Sequence, residues 1–147
     1  MNKAANKILS LLLAVCLMLG GLAVTPVTAY AAAPQDVQSG AAVTLNTPGL
    51  YDISTADNGA TITVTVDGVA LTGTHANLSV TISGGITLTL KDASITSTSG
   101  NAIWVDGAGC GLVLIGDNSA TSGPGYAGVC VQEGTPTRSL TITALAA

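Results

Sequence analysis

Positive charge is the scarcest property of this 147-residue chain. Its basic side chains are Lys3, Lys7, Lys91 and Arg138, against seven aspartates and Glu133. Beyond position 31 only Lys91 and Arg138 remain, two cations against eight anions, for a net charge of −6. A domain this acidic cannot neutralise phosphates, which argues against nucleic acid and against anionic membrane surfaces as partners. Phenylalanine is absent, and the aromatic residues of the same region are Tyr51, Trp104 and Tyr126. No window there sustains an apolar stripe at helical spacing, so helices are not expected. Histidine occurs once, at His75, and no His/Cys spacing suggests zinc. What is abundant is threonine, together with Gly, Ser and Ala, a composition that suits strands and turns. The chain reads as all-β.

Residues 1–31 have the form of an export signal. Lys3 and Lys7 supply a positive start, and an apolar run extends from Ile8 to Val24. Ala29-Tyr30-Ala31 then places small residues where a signal peptidase needs them, so cleavage is expected after Ala31. Ser10, Gly20, Gly21 and Pro26 interrupt or closely follow the run and disfavour an uncleaved anchor. Leu13-Ala14-Val15-Cys16 has the outline of a lipoprotein box, but Val15 is bulky where a small residue is needed, so lipidation is not expected. The expected location is secreted or cell-surface, with no membrane contact after cleavage. The remainder, 32–147, is long enough for one domain.

A repeat organises that domain. Ile62, Val64 and Val66 return as Ile86, Leu88 and Leu90, and again as Cys110, Leu112 and Leu114, two equal steps of about 24 residues. Leu140 and Ile142 follow Leu112 and Leu114 after a slightly longer step. Apolar residues alternate with Thr, Gly or Val in each copy, the period of a strand with one buried face. Ahead of the later copies lie second short strands, Leu78, Val80 and Ile82, then Ile103 and Val105, then Ala127, Val129 and Val131. Polar bends follow the main strands, and a third stretch is anchored by Leu71, Ile95 and Ala120. Three strands and their bends in about 24 residues describe one coil of a parallel β-helix, a solenoid in which each coil covers the next. Residues 32–59 do not match the repeat and are expected to form a lead-in cap over the first coil. The coils occupy 60–147, about three to four in number. The last strand precedes Ala144-Leu145-Ala146-Ala147 directly, so an open edge is expected there. That edge suggests the front portion of a longer protein, or self-association through the final coil.

The segments ITLTLKDASITSTSGNAIWV and GLVLIGDNSATSGPGYAGVCV resemble the pectin-lyase-like right-handed β-helix repeats of secreted and surface proteins from Gram-positive bacteria. The resemblance covers about residues 61–143. It implies the fold, and it implies a carbohydrate-binding role, since such repeats are often described as carbohydrate-binding domains. β-Helices also host lyases, hydrolases, adhesins and plain stalks, so fold alone does not decide the role.

Few side chains stand out as chemistry. Trp104 points outward by strand parity, expected between Thr81 of the preceding coil and Cys130 of the next. An exposed indole on a flat sheet can stack on a sugar ring while neighbouring polar groups bond its edges, so Trp104, Thr81 and Asp106 form the expected ligand site. Asp67, Asp92 and Asp117 sit at bends, where stacked carboxylates could take Ca2+, although Asp67 aligns with Lys91 better than with Asp92. Asp92, Asp106, Asp117 and Glu133 are raw material for glycoside hydrolysis, but no local motif pairs any two. Arg138 and Lys91 are the only bases available for lyase chemistry. His75 reads as a solvated loop residue. Cys110 falls in the inward column of Ile62 and Ile86, and Cys130 points outward, so two unpaired thiols are expected despite export. Thr63 and Thr65 align with Thr87 and Thr89, with Thr141 and Thr143 further on, like the rows of ice-binding solenoids, but Gly111 and Val113 interrupt them.

The expected function is therefore an exported β-helix module that binds polysaccharide or a cell-surface glycan, or serves as a scaffold. The alternatives are the front of a polysaccharide lyase or glycoside hydrolase with catalytic residues downstream, and an adhesin or stalk without a small ligand. No catalytic residue and no resident metal is assigned.

Overall fold

A computed structural model describes residues 33–134 and 137–146. The export signal expected over residues 1–31 lies outside them. In chain order the strands are β1 (Gln35–Asp36), β2 (Ala42–Leu45), β3 (Gly49–Asp52), β4 (Thr61–Val64), β5 (Val69–His75) and β6 (Ser79–Ser83). They continue as β7 (Thr87–Thr96), β8 (Ile103–Asp106), β9 (Cys110–Ile115), β10 (Ser119–Thr121), β11 (Val129–Val131) and β12 (Leu140–Leu145). One sheet runs β1-β3-β5-β7-β9-β12, with β10 on the second half of β7, and the other runs β11-β8-β6-β4-β2. Every pairing is parallel. The chain crosses from one sheet to the other and back as it climbs, which makes it a parallel β-helix.

Alternation is what buries these strands. Ile62 and Val64, Val80 and Ile82, Ile103 and Val105, and Leu88 and Leu90 all point inward and are fully buried. Leu78 and Leu112 join them, while Val66, Ile86 and Leu114 are only partly buried at the margin of the same core. Aliphatic residues dominate the interior. Tyr51 is the one aromatic side chain within it among the described residues, and its hydroxyl donates to the Thr47 carbonyl at 2.9 Å.

The coils are not of equal length, and this corrects the expected register. Val43, Ile62, Val80, Ile103 and Val129 stack in one column, so the first two climbs are short and the next two progressively longer. Val69, Leu88, Leu112 and Ile142 stack in the other sheet, where the climbs lengthen in the same direction. Ile62 therefore does not lie under Ile86, because β4 and β7 belong to different sheets. The regular step read from the sequence is real only between β7 and β9, where Leu88 pairs with Leu112. Apolar-Thr alternation is common to strands of both sheets, so the pattern alone cannot say which sheet a strand joins. The expected threonine rows fail for the same reason: Thr87 and Thr89 lie beside Gly111 and Val113, while Thr63 lies beside Thr81. Leu71, expected beside Ile95 and Ala120, instead pairs with Leu90, while Ile95 and Ala120 do pair.

Stacking also begins upstream of residue 60. β2 pairs with β4, and β3 with β5, so residues 42–52 supply a coil of their own. A short 3-10 turn, Ile53–Thr55, follows; the Asp52 carboxylate caps it by accepting the Ser54 N–H at 2.9 Å. Strand β7 is long because it serves two coil segments. It bends at Asp92, whose φ of 51° lies in the left-handed region. There the register shifts between Leu71 and Gly73, so Thr72 faces both Lys91 and Asp92, a β-bulge.

At the C-terminal end no described residue covers the core. Leu112, Leu114, Val129 and Ile142 line an apolar hollow of about 240 Å³, and Ile142 is 55% exposed. Strand β12 carries no charge along its length, and its outer edge has no partner strand among the described residues.

Two outcomes are expected. Leu88→Asp places an unpaired charge in the sealed interior, at a cost of several kcal/mol, and should abolish the cooperative urea transition. The exposed uncharged edge should drive concentration-dependent association in sedimentation velocity, and Ile142→Lys should reduce it while leaving the circular dichroism spectrum unchanged.

Candidate functional site

The outward face of the second sheet carries a line of side chains suited to recognition. Strand register sets Thr63 beside Thr81, Thr81 beside Trp104, and Trp104 beside Cys130. Trp104 thus sits where parity placed it, half-buried between Thr81 and Cys130. Further along the same strand, Asp106 pairs with Ser83. Along this face runs an open groove of about 410 Å³, lined by Ser79, Thr81, Gly100, Asn101, Trp104, Asp106 and Tyr126. All three expected ligand residues, Trp104, Thr81 and Asp106, line it.

The groove contains more than the sequence indicated. Asn101 comes from the connection between β7 and β8, and its Oδ1 accepts the Ala127 N–H at 2.9 Å. That bond ties together two neighbouring corners and leaves the Asn101 amide nitrogen without a partner among the described residues. Tyr126 comes from the connection between β10 and β11 and is 54% exposed. The Trp104 indole N–H, the Thr81 hydroxyl and the Tyr126 hydroxyl likewise have no hydrogen-bond partner among the described residues. Asn101 and Tyr126 lie in corners of unequal length, where no repeat arithmetic applies. A weak signal existed for Tyr126, the only aromatic residue besides Trp104 in the later coils.

Charge in the groove is compensated. Arg138 pairs with Asp106 at 2.6 Å, and its Nη1 donates to Gln132 Oε1 at 2.8 Å. With the two side chains 24% and 43% exposed, the pair contributes little stability, about 0 to 1 kcal/mol. It does occupy the guanidinium, which is permanently protonated and so unsuited to taking a proton.

Two of the three bend aspartates serve the backbone with their carboxylates. Asp67 Oδ1 accepts the Thr87 N–H at 2.7 Å, and Asp92 Oδ1 accepts the Asp117 N–H at 3.1 Å. Among the described residues no three of His, Cys, Asp and Glu come together as a metal site would need. His75 is not a freely solvated loop residue. It ends β5, half-buried, where Nδ1 accepts the Asn77 N–H at 3.1 Å and Nε2 lies 3.0 Å from the Ala56 carbonyl. Accepting at Nδ1 puts the proton on Nε2, which then donates to Ala56 and pins one coil to another.

Both described cysteines are free, Cys110 buried and Cys130 partly exposed. The Cys110 thiol donates to the Gly84 carbonyl at 2.8 Å. Burial pushes its pKa above the ordinary 9.0, a hydrogen bond with the Ile86 backbone opposes that rise, and the Asp106 charge adds to it. A scan against protein-family models and searches of curated proteins and of solved structures gave no match.

Two outcomes follow from the thiols. Under native conditions a maleimide should modify Cys130 and spare Cys110 until the protein unfolds, as mass spectrometry of the labelled peptides would read. Because the folded-state pKa of Cys110 is raised, its contribution to stability is intact below about 9.0 and is lost as pH climbs toward the folded value. The melting temperature should fall over that window, and less steeply in Cys110→Ala.

Proposed function

We propose that this chain is a carbohydrate-binding β-helix module, acting outside the cell on a polysaccharide or a surface glycan. The observation that carries the reading is the groove. It joins the Trp104 indole to hydroxyl and amide groups that are not committed to other partners, with a carboxylate alongside. Sugar recognition needs this combination, because a pyranose offers an apolar face to a ring and a polar rim to hydrogen bonds. Asp106, held by Arg138, supplies an acceptor without a net local charge, and Thr81 supplies a hydroxyl beside the indole. An extracellular setting is supported by the export-signal form of residues 1–31.

The expected outcome on a glycan array is retention of the wild type by a defined set of glycans. Trp104→Ala should weaken that binding by about tenfold or more, roughly 1.4 kcal/mol, with an unchanged circular dichroism spectrum. Binding should persist between about 0.1 and 1 M salt, since stacking and uncharged hydrogen bonds are screened little. No retained glycan would favour a stalk without a small ligand. Calcium-dependent, salt-sensitive binding to uronates would favour the lyase-like alternative.

A further inference from the structure

We infer that Tyr126 is a second stacking platform in the Trp104 groove, so that the site takes at least two consecutive uncharged sugar rings. The inference rests on the carbohydrate-binding reading and adds the length and charge of the ligand to it.

Tyr126 lines the same groove as Trp104 yet comes from a different part of the coil, the corner before β11. The residue is 54% exposed although its backbone is tethered. The Tyr126 N–H donates to the Gly123 carbonyl at 3.2 Å, and the Tyr126 carbonyl accepts from the Ser122 hydroxyl at 2.7 Å. The next residue, Ala127, donates its N–H to Asn101. Gly123 holds the corner flush with the coil beneath and Gly128 holds it against β10 of its own coil, since a Cβ at these positions would strike the Thr98 and the Ala120 carbonyl oxygen respectively. Tethers on both sides therefore present an apolar ring to water from a backbone that is already ordered. An aromatic side chain with two rotatable bonds on such a backbone loses little entropy when a ligand covers it.

Two aromatic surfaces exceed what one pyranose needs. The groove lining also includes Ser79, Thr81 and Asn101, all uncharged hydrogen-bonding groups, the Ser79 hydroxyl being 3.2 Å from that of Ser97. Its one ionisable lining side chain apart from the Tyr126 phenol is Asp106, whose charge is already matched by Arg138. A uronate would meet a carboxylate with no free cation in the lining to receive it. The chemistry suits a neutral oligosaccharide, one ring on Trp104 and another on Tyr126.

Affinity electrophoresis of the full chain tests this, in gels cast with xyloglucan, galactomannan, arabinoxylan, mannan, a β-1,3-glucan or polygalacturonate. The wild type should be retarded by at least one neutral polymer. Tyr126→Ala should weaken that retardation by about three- to tenfold, as expected for the loss of one aromatic contact, and Tyr126→Phe should retain it. The methyl glycoside of the polymer's own sugar should compete equally well against wild type and Tyr126→Ala, because a single ring needs only Trp104. Equal retardation of wild type and Tyr126→Ala would overturn the inference and leave the carbohydrate reading intact. Loss of competition by the methyl glycoside in step with polymer binding would overturn the two-ring assignment. Retention by polygalacturonate alone would overturn the neutral-ligand assignment, and retention by no polymer would overturn the carbohydrate reading with it.

Discussion

Each coil of this molecule is too thin to have an inside of its own, so stability depends on the parallel backbone ladder that sets one coil on the next. The ladder does two jobs together. It satisfies the peptide groups along each strand, and it brings inward side chains into continuous columns such as Val43, Ile62, Val80, Ile103 and Val129. Without the ladder those aliphatic chains would face water. Without the columns, a ladder built from Thr- and Gly-rich strands would gain too little apolar burial to offset the loss of backbone freedom. The polar corners are subordinate to this arrangement. Asp67, Asp92, Asn77 and Asn118 each accept or donate across a bend, so that chain reversals do not leave amides bare.

The candidate site inherits its geometry from the same ladder. Trp104 is held outward because Ile103 and Val105 are both held inward, with no freedom to rotate the strand between them. Thr81 and Cys130 lie on either side because parallel register places them there. Asp106 is fixed further along the strand and secured by Arg138. The strand-borne part of the groove, Thr81, Trp104 and Asp106, is thus placed by backbone register.

How much of this was legible in the sequence depended on the kind of signal. Alternation marked the strands of both sheets and the inward set of Ile62, Val80, Leu88 and Ile103, because period two survives whatever the coil length. Parity likewise placed Trp104 between Thr81 and Cys130, and Cys110 indoors. Register was not legible in the first half. Ile62 matched Ile86 in pattern and spacing, yet the shorter coils there moved the two into different sheets. The strands at 42–52 were hidden because so short a coil falls outside the period that the later strands set. His75 looked solvated because its partners, Ala56 and the Asn77 amide, are backbone groups that no sequence motif announces. Asn101 and Tyr126 belong to corners, whose paths follow local turn chemistry rather than periodicity.

The unequal coils have a further meaning. The climb from Ile62 to Val80 is the shortest of its column, and those from Val80 to Ile103 and from Ile103 to Val129 are each longer than the one before. Gly100, Asn101 and Tyr126 all fall within those longer climbs, in connections outside the strands, whereas the columns beneath keep the same parallel pairing. Stability and recognition are thereby assigned to different residues of one coil. At corner positions without close backbone contacts of the kind made by Gly123 and Gly128, a substitution changes the surface offered to a ligand without disturbing the ladder below it. Such a scaffold can diversify what it touches while keeping what holds it together, much as a fixed keyboard accepts different caps.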